Sequence, residues 1–100
     1  MNQRQKCFGY QFSAPVQLTD ENIKSIPNKL FGVFIIYRFE NAMPESAMTV
    51  GSGILYEVLA QFLNTHKNMT YWFTHHPCKR EQAKVIREDV SIEINLVRRH

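Results

Sequence analysis

The sequence has no apolar run approaching the roughly 18 residues needed to span a bilayer. Arg4 and Lys6 stand near its start, but no apolar stretch follows them, so a secretory signal is not expected. Only two cysteines occur, Cys7 and Cys78, too few for a disulfide scaffold of this size. These absences point to reduced thiols, a cytoplasmic location and no membrane attachment. Neither internal repeats nor low-complexity segments interrupt the chain. Strong charge of one sign is also missing: the net charge of +3 permits nucleic-acid contact without demanding it. Lysine and arginine are absent altogether between Phe39 and Lys67, while Lys79-Arg80 and Arg98-Arg99 hold four of the twelve basic residues.

What is present suffices for one core. One hundred residues is near the usual size of a single domain, and 44% apolar residues with 12% aromatics supply its interior. Charged residues make up 21%, a composition that argues against disorder. We divide the chain into an N-terminal extension or edge strand, residues 1–17, and a single domain, residues 18–100.

The pattern of side chains predicts the elements. Phe8, Tyr10 and Phe12 alternate across residues 7–12, as on one face of a strand, until Pro15 breaks the pattern. Residues 18–26 form a short helix capped by Thr19, with Asp20 and Glu21 at its positive end and Pro27 as its stop. Residues 32–39, GVFIIYRF, are β-branched and aromatic almost throughout and belong in a central strand. A loop over 41–46, containing Pro44, leads to a second strand over 47–51, antiparallel to the first. Leu55, Val58, Leu59, Phe62 and Leu63 recur at helical spacing over 54–65. TYWFT, 70–74, is a third strand, and 79–94 a final helix with Ala83, Ile86 and Val90 on one stripe. The predicted fold is α+β: a small three-stranded antiparallel sheet flanked by helices, with an additional N-terminal strand at its edge.

This order carries short glycine-centred motifs. Ile26-Pro27-Asn28-Lys29-Leu30-Phe31 leads into Gly32-Val33-Phe34 at the first main strand. Thr49-Val50-Gly51, followed by Ser52-Gly53, closes the second, and the final helix carries Arg80-Glu81-Gln82-Ala83 through Val90. From about Leu18 to Asn95 the chain resembles the GIY-YIG nuclease domain. That resemblance implies a tyrosine near a metal-bound water, an arginine on the first helix after the hairpin, and a glutamate on the last helix holding a divalent metal. A hard cation such as Mg²⁺ takes oxygen ligands, developing phosphoryl charge takes a guanidinium, and the attacking water needs a base within reach.

The sequence departs from the family at each of these positions. Phe34 and Thr49 stand where the tyrosines belong, and Tyr56 or Val58 where the arginine does. Arg87 matches the glutamate position most tightly, and Glu88 matches it with a shift of one residue. Losing the arginine costs on the order of several kcal/mol in the barrier, and losing water activation costs about two to four powers of ten. The expectation is a degenerate domain that binds nucleic acid without cleaving it, through Tyr56, Lys67, Lys79, Arg80, Lys84 and Arg87, with no cofactor.

Two alternatives accompany it. One is a protein-interaction or inhibitor module on the same scaffold. The other is an active Mg²⁺-dependent endonuclease with relocated residues: Tyr37 or Tyr56 near the water, Arg87 as electrophile and Glu88 on the metal. His75-His76-Pro77-Cys78 invites a zinc reading, but adjacent histidines in a strand face opposite ways and no second Cys/His pair sits at finger spacing. A strand end followed by a turn accounts for it.

Overall fold

A computed structural model of the chain describes residues 5–7, 9–40, 43–67 and 69–98. Its centre is the strand that the sequence marks most strongly, β4 (Phe31–Glu40). Successive side chains of a strand point to opposite faces, and here both faces are apolar. Phe34 and Ile36 enter one core; Val33 and Ile35 enter another. Val33 and Ile36 are completely buried, which only a strand with neighbours on both edges and helices on both faces achieves.

Those neighbours are β5 (Met43–Ile54) and β6 (Trp72–Pro77), each antiparallel to β4. A two-residue strand, β3 (Val16–Gln17), pairs with the outer edge of β6, giving the order β3-β6-β4-β5. The sheet thus has the three expected strands and an N-terminal edge strand, which sits at Val16–Gln17 instead of residues 7–12, and β5 is its other edge. Upstream, β1 (Gln5–Cys7) and β2 (Tyr10–Phe12) form a separate antiparallel hairpin. The expected continuous strand over 7–12 is therefore folded back on itself. Gly9, with φ of +87°, adopts the left-handed turn conformation that other side chains resist. The real edge strand lies just beyond Pro15. Ser13 N–H to the His75 carbonyl (2.8 Å) and Leu18 N–H to the Tyr71 carbonyl (2.8 Å) extend its pairing at both ends.

Other boundaries also differ. The loop expected over 41–46 is mostly strand, because β5 begins at Met43, opposite Glu40, and the ladder absorbs two register shifts near Tyr37. Asn41 and Ala42 lie outside the described residues. Pro44 is tolerated there because an edge strand need not donate on both sides. β6 begins two residues later than predicted and continues through Pro77, which costs little at a strand end.

The helices close the two cores. α1 (Asp20–Lys24) is shorter than predicted and is capped as expected: Asn22 N–H donates to Thr19 Oγ1 at 3.2 Å. α2 (Leu55–Thr65) follows β5 with no side-chain cap. Leu55 N–H instead donates to the Leu30 carbonyl at 2.9 Å, so the approach to β4 satisfies one of the helix's orphan donors. α1 and α2 cover the Phe34–Ile36 face; Leu55 and Leu59 are fully buried there. α3 (Arg80–Arg98) runs past the predicted end at 94. Gln82 Oε1 accepts from Lys79 N–H (3.1 Å), half of a capping box. Ala83, Ile86 and Val90 pack against Val33 and Ile35, with Phe12 from the hairpin beside them.

Gly32 and Gly51 each sit against a close neighbour. A Cβ on Gly32 would lie 2.5 Å from the His76 carbonyl oxygen, a backbone atom of the neighbouring strand. A Cβ on Gly51 would lie 2.6 Å from the ring tip of Phe34. Gly32→Ala is expected to lower unfolding stability by about 1–3 kcal/mol, because β4 and β6 must move apart. Gly9→Ala meets no neighbouring atom and should cost about 1 kcal/mol, from φ alone. Denaturant titration of both variants checks the ranking; a neutral Gly32→Ala would contradict the close approach.

Candidate functional site

The sheet divides the residues singled out from the sequence into two groups. Phe34, paired with Gly51, and Thr49, paired with Ile36, both face α2. Tyr56, in the first turn of α2, packs half-buried against the same cluster. Phe34 is a core residue filling the space that Gly51 leaves open. Thr49 is half-buried on the edge strand. These three therefore share one face of the sheet.

The other candidates lie across it. Tyr37 is half-buried and packs with the α3-side cluster. Arg87 reaches from α3 to β5, where its Nη1 donates to Ser52 Oγ at 3.3 Å. Arg80 stands over the Phe31 ring, 5.1 Å from its centroid. Lys84 is exposed one turn from each of them, so Arg80, Lys84 and Arg87 follow one line along the helix at four- and three-residue steps. That line borders β5. Both guanidinium groups contact neutral partners, a ring and a hydroxyl, and these contacts orient the charge without cancelling it. Glu88 is exposed about 100° further round the helix from Arg87.

Lys79 precedes α3 at the sheet end where Gly32 pairs with Pro77. α2 starts at that same end, after Ile54, the partner of Phe31. Lys67 follows the last turn of α2, roughly 16 Å further along its axis. It is therefore remote from Lys79 and Arg80.

The histidines are structural in their contacts. His76 turns toward the N-terminal hairpin: its Nδ1 is 2.7 Å from the Gln11 carbonyl, and its ring tilts against Tyr10 and Phe12. His75 faces the other way. Its N–H donates to Ser13 Oγ at 3.0 Å, and its Nδ1 lies 3.1 Å from the same oxygen. The Thr74 hydroxyl donates to the Ser13 carbonyl. Together these bonds fasten the approach to β3 onto β6. Among the described residues no group of three histidine, cysteine or acidic side chains could hold a metal ion. Cys78 carries a free thiol whose pKa burial raises, which lowers its thiolate fraction and its nucleophilicity.

Sequence reasoning missed a contact on the α3 side. Tyr10, from the hairpin, donates its hydroxyl to Asp89 Oδ2 at 2.7 Å. Gly9, Tyr10, Asp89, Ile92 and Glu93 line a shallow cleft of about 330 Å³ between hairpin and helix. The seventy-nine residues separating Tyr10 from Asp89 left no local signal. The exposed pair Val85 and Ile92 was legible in principle, since seven residues is two helical turns.

No family model, curated protein or solved structure matches the chain. No described helix is long and apolar enough to cross a membrane.

The Tyr10–Asp89 bond yields a pH prediction. A phenol that donates to a carboxylate loses that bond on ionising and meets a like charge, so its pKa lies above the ordinary value. Spectrophotometric titration of the Asp89→Asn variant should show one tyrosine ionising at lower pH than in the parent. Superimposable curves would mean that the bond is not formed in solution.

Proposed function

We propose that the chain is a GIY-YIG-like domain that has lost the nuclease chemistry, and that it binds nucleic acid along the basic flank of α3 without cleaving it. The observation that carries this reading is the line of Arg80, Lys84 and Arg87 beside the edge strand β5. Arginine suits phosphate because its planar fork presents several donors at once. Here the Phe31 ring and the Ser52 hydroxyl hold two such forks in place, so less side-chain freedom is lost on binding. Lys79, exposed just before the helix, adds a further positive charge at that end.

The order of elements supports the scaffold reading. The β4–β5 hairpin leads to α2, and β6, on the far edge of β4, leads to α3, the succession that the resemblance implies. The two motif glycines, Gly32 and Gly51, each accommodate a close neighbour. The absence of cleavage rests on chemistry. Phe34 has no hydroxyl and is buried, and Thr49 is a poor acid. Tyr56 lies across the sheet from Arg87. A relocated nuclease site would need these groups within hydrogen-bond reach of one phosphate. Tyr56 and Lys67, on the α2 side, are peripheral to the α3 surface.

The test measures binding and cleavage on the same samples, using labelled single- and double-stranded DNA and RNA, with Mg²⁺ or EDTA. Affinity should fall steeply with salt. Replacing Arg80, Lys84 and Arg87 by Gln should reduce the slope of log K against log salt by about two to three, roughly one per phosphate contact removed. Metal-dependent cleavage abolished by Glu88→Ala would replace this reading with the nuclease. Absence of salt-sensitive binding would eliminate it.

A further inference from the structure

Around its circumference α3 changes character. Ala83, Ile86 and Val90 face the core, and the basic line of Arg80, Lys84 and Arg87 flanks them on the β5 side. Continuing round at 100° per residue come Glu81 and Glu88, then Val85 and Ile92, then Asp89 and Glu93. Val85 and Ile92 are each 58% exposed, large apolar side chains two turns apart on a helix whose core stripe is already filled. Beside Ile92 lies the cleft of about 330 Å³ closed on its other wall by Gly9 and Tyr10. Tyr10 holds Asp89 at that wall through its hydroxyl. An apolar strip, a cleft that can accept one side chain, and carboxylates on both margins therefore occur together.

We infer that this face docks an amphipathic helix from a partner protein whose apolar stripe is bordered by lysine or arginine. Helix-in-groove recognition includes apolar anchors at i and i+7, and Val85 and Ile92, two turns apart, with the cleft beside Ile92, offer such a pair along α3. Charge decides between occupants. Glu81 and Glu88 on one margin, and Asp89 and Glu93 on the other, attract a cationic helix. They oppose a second copy of this face, which would bring like charges together. They equally repel nucleic acid, so this surface is distinct from the basic flank and does not depend on the function proposed for it.

The probe is a short synthetic helix of Leu and Lys with leucine on one stripe, compared with the same peptide carrying Glu for Lys. Binding to the whole protein is followed by fluorescence anisotropy and mapped by amide NMR. The lysine peptide should bind and shift Gly9, Tyr10, Asp89 and Ile92, and the glutamate peptide should not. Val85→Asp with Ile92→Asp, both at exposed positions, should weaken binding about tenfold or more, as should Glu88→Lys with Glu93→Lys. Arg87→Gln should leave it unchanged. Equal binding of the two peptides, or shifts located away from α3 and the hairpin, would overturn the inference. Concentration-dependent dimerisation of the free protein, abolished by Ile92→Asp, would overturn it in favour of a second copy.

Discussion

Because β4 lies between β5 and β6 and carries helices on both faces, its side chains belong alternately to two separate cores. Everything else is arranged to make that double burial possible. α1 and α2 must cover Phe34 and Ile36, while α3 and the N-terminal hairpin cover Val33 and Ile35. A one-residue slip of β4 would exchange the two sets and mismatch both interfaces. The hairpin with β5 contains register shifts, but they fall beyond Ile36, past the doubly buried segment. Irregularity thus begins at Tyr37, which is only half-buried against the α3-side core, and spares the fully buried segment before it.

The same constraint governs what the molecule can present to others. A sheet covered on both faces separates the α2 side from the α3 side, so functional groups placed by different elements do not automatically meet. Phe34, Thr49 and Tyr56 share one side; Tyr37, Arg80 and Arg87 share the other. The α3 side is the richer in oriented polar groups. One margin of that helix is basic and fixed by neutral contacts. Its outward margin is apolar and acidic, with the hairpin contributing a wall and a hydrogen bond. A single helix thereby presents two surfaces of opposite charge.

Legibility in the sequence followed the range of the interactions involved. The helix cap at Thr19 depends on residues three apart and was readable. So were the core stripe of Ala83, Ile86 and Val90 and the doubly apolar centre of β4. The hairpin of β1 and β2 was hidden because alternation through Phe8, Tyr10 and Phe12 looks the same in a straight strand. The turn includes Gly9, whose positive φ the side-chain alternation does not reveal. An N-terminal edge strand was expected, but its place at β3 was hidden because two residues carry no period and its partner β6 is more than fifty residues away. The loop expected around Pro44 became strand because an edge position removes proline's penalty.

By itself, then, the sequence determined the α+β class, the central strand, the two longer helices and their buried faces. These follow from local periodicity and the need to remove apolar surface from water. Tertiary structure alone decided the place of the edge strand at Val16–Gln17, the partition of the candidate residues by the sheet, the seating of Arg80 on Phe31 and Arg87 on Ser52, and the Tyr10–Asp89 wall. Each of these joins residues distant in the chain, and such pairings are selected by packing and register across the whole fold.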